Sequence, residues 1–435
     1  MKVLVIDAVG CSLDLCLRAQ EYNHAVKVWM PKGSEEIGVG LVDKVDEWEP
    51  YMDEADLIIL TDNANYIAAL DPYFKKGYPI FGTNKEAGEL ELDRKKGQDV
   101  LRRAGIKTVE GNLFSNYDEA IAHIHKTKKR YVAKPWGGAA DKMLSHVSKS
   151  PADMIHMLRK WKGDKKIKGQ FMLQEFIPGI EIAVGGWFGP GGWSAPICEN
   201  FEEKAFMNGG FGGNTGEQGT VLRYVRQSRL FDEVLEPIED ELHKLKYVGY
   251  CDVNTIVSEK GDPIPLELTM RFGEPTLKIQ QALHQGDPVA WMGDLLDGKD
   301  TLKVDWNTIS LGVVLAHGNY PHDDGKIDPV GAPLYGITQE NENNLHFSDV
   351  RLGVSPVMVG DSIKDLPIEQ TAGSYIMVVT GTGETIKDAQ KVAYDVAKEI
   401  EVPSNLMMRT DIGDRLEKAI PKLQSFGFVK GLKFS

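Results

Sequence analysis

The first part of the chain alternates short apolar runs with amphipathic stretches, and this alternation limits the possible folds more than any other feature of the sequence. The apolar runs span residues 3–6, 25–29, 57–60 and 79–81. Runs this short, separated by amphipathic helices, are typical of buried strands in a parallel sheet. We therefore predict an N-terminal domain over residues 1–104, built on a Rossmann-like open parallel sheet.

The turn after the first of these strands, DAVGCSLD, contains a single glycine. It therefore lacks the Gly-x-Gly-x-x-Gly spacing of a dinucleotide-binding fingerprint. In an open parallel sheet, ligands bind beyond the carboxyl ends of the strands. We expect residues 7–10 and 61–65 to line any site in this domain.

Composition narrows the class of function. A chain of 435 residues with 42% hydrophobic residues has room for two to four domains of roughly 100 to 200 residues each. The net charge of −14 argues against direct nucleic-acid binding and against adhesion to an anionic membrane. The opening MKVLVIDAVG is too short and too interrupted for a signal peptide or a spanning helix, so we expect a soluble, cytoplasmic protein.

The four cysteines contain no Cys-x-x-Cys pair. This spacing predicts free thiols rather than a zinc site or a disulfide framework. The residues concerned are Cys11, Cys16, Cys198 and Cys251.

From residue 105 onward the pattern changes to that of mixed α+β domains. We predict a second domain over residues 105–305, with a lid subdomain around residues 118–180, and a small α+β domain over residues 306–435. The predicted helices span residues 89–104, 150–160, 232–246 and 385–400. The predicted strands span residues 131–134, 171–174, 250–257, 264–268, 309–316 and 374–380. Two glycine-dense stretches, residues 185–192 and 209–219, are expected to be loops.

The stretch YVAKPWGGAADKMLSHV places a glycine-rich turn between two lysines, Lys134 and Lys142. Such a turn can close over a polyphosphate, because its backbone N–H groups and both lysines offer donors to phosphate oxygens. It is not a Walker loop, since no Gly-Lys-Ser/Thr sequence opens a helix. The alternative is an ordinary hairpin with a solvated lysine. Trp136 within the turn is either a packing aromatic or a platform on which a base stacks.

Two further motifs favour a nucleotide site. In QEFIPGIE, the backbone after Gln174 suits an adenine edge, and Glu181 lies seven residues further on, where it can bind ribose hydroxyls. In LELTMRFG, the two-residue period of a strand puts Glu267, Thr269 and Arg271 on one face. Hard oxygen ligands beside an arginine suit Mg²⁺ that bridges nucleotide phosphates, and Asn254 on the preceding strand can face the same ion.

Seven motifs in order resemble those of the ATP-grasp superfamily and, in their details, those of the phosphoribosylamine-glycine ligase family. The motifs are MKVLVI, KPWGGAADK, QEFIPGIE, GGNTGEQGTV, LELTMRFGEP, LGVVLAHGNYP and RTDIGDR. The resemblance covers nearly the whole chain. It implies an ATP-grasp fold after the N-terminal sheet, and ATP-dependent ligation of a carboxylate to an amine through an acyl phosphate, as in purine biosynthesis. ATP and Mg²⁺ (or Mn²⁺) are the implied cofactors, and the implied partners are a small amine and a glycine-like amino acid, bound by a monomer or homodimer.

The resemblance also implies roles for individual residues. The ATP-binding set is Arg94, Lys134, Gly138, Lys142, Gln174, Glu175, Phe176, Ile177 and Glu181. The metal-binding set is Glu267, Thr269 and Asn254, and the catalytic set is Arg271 and Lys142. The substrate-binding set is Asn214, Thr215, Gly216, Arg271 and Gly273. For Arg271 an ion pair with Glu274 is the structural alternative, and for Asn214 and Thr215 the alternative is a simple turn.

The departures from the family pattern fall mainly on the side of the amine. The family's first turn, Gly-x-Gly-Gly-Arg-Glu-His-Ala, is replaced by DAVGCSLD, whose Asp7 and Asp14 would repel a phosphate unless compensated. Thr61-Asp62-Asn63 replaces Gly-Pro-Glu.

Two further departures touch the ATP side. Arg94 stands where the family has lysine, and Thr269 where it has asparagine. We predict that ATP use is retained and the acceptor is changed, for example to a modified nucleotide or amino sugar. A non-catalytic nucleotide-binding protein is the remaining alternative.

Overall fold

The computed structural model describes residues 1–136, 145–164, 169–322, 325, 327–403 and 405–435. The chain begins with β1 (Lys2–Ile6), α1 (Leu13–Glu21), β2 (Ala25–Trp29), β3 (Asp43–Lys44), β4 (Leu57–Leu60), α2 (Ile67–Lys76) and β5 (Ile80–Phe81). These strands form a parallel sheet in the order β3-β2-β1-β4-β5. The open parallel sheet is as predicted, and β1 and β4 are buried on both faces.

The helix predicted over residues 89–104 is interrupted. The structure has α3 (Lys85–Leu92) and α4 (Arg94–Arg103), separated by Asp93 in an extended conformation. The Asp93 carboxylate accepts hydrogen bonds from the backbone N–H groups of Lys95 (2.9 Å) and Lys96 (3.3 Å). An aspartate at this position caps a new helix, so the chain turns here instead of continuing.

A small antiparallel sheet follows, with two helices on one face. Its strands are paired in the order β6-β9-β7-β8. The elements are β6 (Gly111–Phe114), α5 (Tyr117–Thr127), β7 (Tyr131–Trp136), β8 (His146–Val147), α6 (Pro151–Asp164) and β9 (Gln170–Glu175). Tyr131, Ala133, Phe171 and Leu173 pack against the two helices, which leaves the opposite face of β7 and β9 free to line a cleft. We call this layer the small sheet.

The largest sheet begins with three long strands. The elements that follow are β10 (Gly179–Gly189), β11 (Gly192–Met207), β12 (Phe211–Val225), α7 (Arg229–Val234), α8 (Glu239–Lys244), β13 (Gly249–Ser258), β14 (Pro263–Thr269), α9 (Thr276–Gln281), β15 (His284–Gln285), α10 (Ala290–Leu296), β16 (Lys303–Val304) and β17 (Ile309–His317). In the helix predicted over residues 232–246, a 3-10 turn at Glu236–Ile238 separates α7 from α8, because Pro237 cannot continue the helix.

The last third of the chain extends this sheet. Its elements are β18 (Val330–Pro333), β19 (Leu345–Phe347), β20 (Val350–Val359), β21 (Ser362–Ala372), β22 (Tyr375–Gly383), α11 (Ile386–Ala397), β23 (Leu406–Met407) and α12 (Leu416–Ser425). The described strands pair in the order β14-β13-β10-β11-β12-β17-β22-β19, with β23 beside β17. The sheet thus continues across the domain boundary predicted at residues 305–306, and the boundaries stay a prediction. We call this layer the large sheet.

The two glycine-dense stretches were expected to be loops, and this expectation is wrong except at residues 190–191 and 209–210, which form tight turns between strands. Residues 185–189 and 211–219 lie in strands of the large sheet. A Cβ at Gly185 would lie 2.2 Å from the Tyr250 hydroxyl, and one at Gly219 would lie 2.5 Å from the Gly312 carbonyl oxygen. The glycines here allow close approach between strands and their neighbours instead of marking turns.

Two other expectations, on the cysteines and on the last predicted helix, are confirmed. The four cysteines are free, and three of them are buried. α11 begins after Thr385, whose side chain accepts a hydrogen bond from the Asp388 N–H. Within the described ranges, every helix is too short or too polar to cross a membrane.

We predict that His284 makes stability depend on pH. Its Nε2 lies 2.7 Å from the Tyr224 hydroxyl oxygen, close to the rings of Trp187 and Trp291, and burial lowers its pKa to about 3. As the pH falls below about 6.5, His284 therefore becomes protonated in the unfolded chain while it stays neutral in the folded chain. The contribution of His284 to the free energy of unfolding is complete above that pH and decreases below it. At pH 5 the loss attributable to His284 is about 2 kcal/mol.

Urea unfolding between pH 8 and pH 5 checks this prediction. Replacing His284 by Gln should reduce the slope of the free energy of unfolding against pH by an amount that corresponds to about one bound proton. Replacing the exposed His125 by Gln should leave it unchanged. Equal slopes for the wild type and His284→Gln would show that His284 is not the responsible group.

Candidate active site

One face of the large sheet carries polar side chains, and the other is apolar. Along β13, Cys251 and Val253 belong to a core that also contains Val184 and Leu268. Because side chains alternate along a strand, the intervening residues and their cross-strand partners face the opposite way. The polar residues on that second face are Glu181, Asn200, Glu202, Asp252, Asn254, Glu267 and Thr269. This polar face forms one wall of the cleft.

The three residues predicted to bind a metal lie together on this face. Asn254 is directly opposite Glu267 in the β13–β14 ladder, and Thr269 is opposite Asp252. The Asn254 Oδ1 atom is buried and has no hydrogen-bond partner among the described residues. A free amide oxygen beside a carboxylate is a donor pair that suits Mg²⁺, so these residues fit the ion. The described part of the chain contains no group of three or more His, Cys, Asp or Glu residues that could hold a metal.

Lys204 connects the acidic residues of the cleft. Its Nζ lies 3.0 Å from carboxylate oxygens of both Glu181 and Glu202. Burial opposes the charge on Lys204, but the two carboxylates outweigh it and raise its pKa well above the usual value. Burial likewise opposes the charge on Glu181, and Lys204 lowers its pKa on balance. Glu181 is therefore a carboxylate at neutral pH.

The facing wall comes from the small sheet. Lys134 is opposite Met172 in the β7–β9 ladder, and Gln174 lies on the same face. These residues and Trp136 line a cavity of about 510 Å³ that also touches β14 through Leu266. Burial lowers the pKa of Lys134, and the nearby carboxylate of Glu267 opposes that shift. Trp136 thus faces the cavity, where it can pack or stack.

The same cavity is mostly basic. Its charged lining residues are Arg94, Arg102, Lys107, Lys134 and Glu110. Arg94 opens α4 and reaches Glu267, with 3.2 Å between its Nη2 and a carboxylate oxygen. The excess of cations favours an anionic ligand. The Arg94–Glu267 pair joins this basic cavity to the polar face of the large sheet.

The predicted adenine segment lies at the end of β9. Gln174 is buried, and Glu175 is exposed and forms an ion pair with Lys129 (2.7 Å). The guanidinium of Arg130 stacks over the ring of Phe176, 3.6 Å from its centre. Ile177 follows at intermediate exposure. Two other predicted nucleotide residues, Gly138 and Lys142, lie outside the described residues.

The predicted substrate residues of β12 do not form a simple turn. Thr215 donates a hydrogen bond to the Lys204 carbonyl (3.0 Å) and accepts one from Gln218 (3.0 Å). Asn214 lines a second cavity of about 550 Å³ with Glu181, Lys204 and Arg415. Gly216 has open space where a side chain would project. The turn interpretation of Asn214 and Thr215 is therefore wrong, because both lie in a strand.

Arg271 pairs with a residue that was not predicted. Its Nε lies 3.3 Å from Glu91 on α3, and the other Glu91 oxygen accepts hydrogen bonds from the Met270 N–H (2.8 Å) and the Asn63 side chain (2.6 Å). The suggested pair between Arg271 and Glu274 is wrong. Glu91 instead ties the loop after β4 to the end of β14.

Glu274 binds Lys278, whose Nζ lies 2.7 Å from both of its oxygens. Gly273 immediately precedes this pair, and a Cβ there would lie 2.7 Å from the Thr276 side chain. Glycine at this position therefore lets the chain pass close to the start of α9.

The Asp7 carboxylate fills the turn after β1. It accepts hydrogen bonds from the backbone N–H groups of Gly10 (2.9 Å) and Ser12 (2.7 Å) and from the Thr61 hydroxyl (2.9 Å). Asp7 is fully buried. The backbone N–H groups of this turn therefore bind a carboxylate that belongs to the turn itself.

Asp14 does not lie in this turn. It belongs to α1 and is compensated by Arg18 (3.0 Å) and by His346 (3.0 Å) from β19. Burial raises the pKa of Asp14, but these two partners outweigh it and lower the pKa to about 2.

Glu217 and the Glu274–Lys278 pair were missed by sequence reasoning. Glu217 stands in GGNTGEQGTV where the family pattern Gly-Pro-Asn-Thr-Gly-Gly-Met-Gly-Ala has glycine. A glutamate in place of glycine inside an otherwise matching motif could have identified Glu217 from the sequence. The Glu274–Lys278 pair has only its i,i+4 spacing, which occurs on many exposed helices.

Two family models match separate parts of the chain. Residues 93–277 match the family model described as "Phosphoribosylglycinamide synthetase, ATP-grasp (A) domain", and residues 310–415 match "Phosphoribosylglycinamide synthetase, C domain". A phosphoribosylamine-glycine ligase of Ralstonia nicotianae is 27% identical over 366 residues, which is 80% of this chain and 81% of the relative. The corresponding protein of Allochromatium vinosum is 25% identical over 437 residues, covering 95% of this chain and 98% of the relative.

Solved structures show the same fold. The crystal structure of phosphoribosylamine-glycine ligase from Thermotoga maritima superposes with a TM-score of 0.72 at 20% identity, covering 95% of this chain and all of that one. N5-carboxyaminoimidazole ribonucleotide synthetase from the same organism gives a TM-score of 0.58 at 16% identity. The chain belongs to the ATP-grasp superfamily. Within it, the chain resembles phosphoribosylamine-glycine ligase over nearly its whole length.

We predict that Glu91 is a main structural link between the N-terminal sheet and the cleft. Replacing it by Ala leaves the Arg271 Nε, the Met270 N–H and the Asn63 amide without their acceptor. The free energy of unfolding should fall by about 3 kcal/mol, measured by urea denaturation. Glu89→Ala is the matched control on the same helix, because the Glu89 side chain is 41% exposed and forms an ion pair only with Lys96 among the described residues. It should cost less than about 1 kcal/mol, and equal losses in the two variants would contradict the assignment.

Proposed function

We propose that this protein is an ATP-dependent ligase that joins the carboxylate of a glycine-like amino acid to an amine through an acyl phosphate. The Arg94–Glu267 contact of 3.2 Å carries the proposal, because it sets cations that bind phosphate directly beside oxygens that bind a divalent cation. Transfer of a phosphoryl group needs both at once. Relatives named phosphoribosylamine-glycine ligase along 95% of the chain support the same reaction class.

In this proposal the nucleotide lies between the two sheets. Its phosphates bind Lys134 and Arg94, together with Lys142 and Gly138. Adenine lies against Gln174 and the backbone from Glu175 to Ile177, and the ribose hydroxyls donate to Glu181. The charge of Glu181 at neutral pH favours that bond, since a carboxylate is a stronger acceptor than a carboxylic acid.

Glu267 and Asn254 would hold a magnesium ion, with Thr269 as a further oxygen donor. A bound Mg²⁺ would neutralise part of the phosphate charge during transfer. With the metal on Glu267, Arg94 would exchange that carboxylate for a phosphate oxygen, so both residues would keep a partner of opposite charge.

The reaction takes two steps. A carboxylate oxygen of the amino acid attacks the γ-phosphorus, the bond to the bridging oxygen breaks, and ADP leaves. The amine nitrogen then attacks the acyl carbon, the bond from that carbon to the phosphate oxygen breaks, inorganic phosphate leaves, and the nitrogen loses a proton. Arg271, held by Glu91, stabilises the charge on the transferring group, and Asn214, Thr215, Gly216 and Gly273 border the substrates.

We predict that Glu267→Gln lowers amine-dependent ADP release by at least about 100-fold, because a neutral amide holds the metal poorly. Isothermal titration should also show weaker binding of Mg-ATP, with a smaller dependence on Mg²⁺. Glu259→Gln, in the exposed turn after β13, is the control and should match the wild type.

The assay uses Mg-ATP and glycine, with and without phosphoribosylamine generated in place, and identifies the product by mass. A Glu267→Gln enzyme as active as the wild type would contradict the metal assignment. A wild type that binds Mg-ATP but releases no ADP with any amine and amino acid would favour a non-catalytic nucleotide-binding protein.

A further inference from the structure

In the two N-terminal turns on the acceptor side of the cleft, carboxylates of the protein already bind backbone N–H groups that a phosphate could use. In the turn after β1, the Asp7 carboxylate accepts the N–H groups of Val9, Gly10 and Ser12. In the turn after β4, Asp62 accepts those of Ala64 (3.1 Å) and Asn65 (2.7 Å). Backbone N–H groups are what such turns offer to a phosphate, and here both turns give them to a carboxylate of the protein.

The cations nearby are also engaged. Lys278 has three N–H donors and three acceptors within 3.0 Å, namely the Cys11 carbonyl and both oxygens of Glu274. Arg18 is bound to Asp14 and lies 3.2 Å from a ring nitrogen of His346. Arg271 also interacts with Asp62 and Cys11, and its Nε and Nη1 atoms donate to Glu91 and to the Phe272 carbonyl. A phosphate dianion near the first turn would therefore meet carboxylates, and the cations there already have partners in the protein, which is unfavourable.

Glu217 faces this region with an unused oxygen. Its Oε1 is buried without a hydrogen-bond partner among the described residues, and the residue is 6% exposed. Glu217 interacts electrostatically with Glu202 on the polar face and with Glu274 beyond β14, and Glu274 in turn interacts with Asp7. Glu217 is therefore close enough to interact with both the polar face of the large sheet and Glu274.

The surroundings of Glu217 are polar. Gln218, the next residue, donates to Thr215 and to the Tyr320 hydroxyl (3.1 Å). The Tyr320 ring lies beside that of Tyr375, with 6.0 Å between their centres. Burial, followed by the repulsion of Glu202, raises the pKa of Glu217 well above its usual value. A buried carboxyl oxygen without a hydrogen-bond partner is costly, and a ligand that donates a hydrogen bond to it removes that cost.

We propose that the acceptor amine carries no phosphate and donates an N–H or O–H group to Glu217. This inference rests on the proposed ligase function and specifies the acceptor of that site. Glu217 is then a specificity-determining residue, since glycine at the same place in the related motif offers no acceptor. The occupied turn after β1 rejects the phosphorylated form of the same amine.

The experiment separates this inference from the ligase proposal. Formation of a hydroxamate from glycine, Mg-ATP and hydroxylamine tests the acyl phosphate alone, because hydroxylamine needs no acceptor site. Absence of hydroxamate would contradict the ligase function. The test of acceptor binding does not depend on that result. That second measurement is binding, followed by isothermal titration with Mg-ADP and glycine present.

The binding probes are two matched pairs, glucosamine with glucosamine 6-phosphate, and ethanolamine with phosphoethanolamine. In the wild type, at least one unphosphorylated amine should bind about 10-fold or more tightly than its phosphorylated partner. Glu217→Ala and Glu217→Gly, which both remove the acceptor oxygen, should each weaken binding of that amine by about 10-fold, and the two variants guard against failure of one to fold. Glu236→Gln, exposed beside α8, should bind as the wild type does. Tighter binding of a phosphorylated probe, no binding of any probe, or unchanged affinity in both Glu217 variants would each overturn the proposal.

Discussion

The cleft depends on the alternation of side chains along the strands of the large sheet. Val253 and Leu268 point into a core covered by helices, so Asn254, Glu267 and Thr269 must point the other way. A shift of one residue in the β13–β14 pairing would bury the carboxylate and expose the apolar residues, which the core forbids. The position of the polar residues is thus fixed by apolar residues that never meet a ligand.

Charge pairing organises the space between the two sheets. Arg94 pairs with Glu267, Lys204 with Glu181 and Glu202, and Lys278 with Glu274. Each pair keeps a partly buried charge from standing alone, which would be expensive at low dielectric. The pairs differ in what a ligand can do to them. Arg94 and Glu267 lie where a phosphate and a divalent cation could each replace one partner, whereas the three donors of Lys278 are already used within the protein.

The sequence predicted the local features and missed those that depend on distant contacts. Strand periodicity placed Glu267, Thr269 and Arg271 on one face. The structure has Glu267 and Thr269 on the polar face of the large sheet, whereas Arg271 lies beyond the end of β14. The periodicity did not predict that Gly185 and Gly219 lie in strands. Glycine is needed at these positions because they pack closely against Tyr250 and Gly312, which are far away in the sequence. Glu91 was missed for the same reason, since its partners Asn63 and Arg271 come from two different sheets. The roles of the site residues and the domain boundaries remain predictions.

Asp7 also has a consequence for how binding energy is used. Where a turn becomes ordered only when its ligand binds, the entropy cost of ordering reduces the affinity. Here the Asp7 carboxylate is part of the chain, and it already occupies the hydrogen-bond donors of the turn after β1. The turn acts as a rigid wall whose shape does not depend on occupancy. Whatever binds beside it is selected by fit to a fixed surface, and changes in acceptor preference must come from residues around the turn instead of from the turn itself.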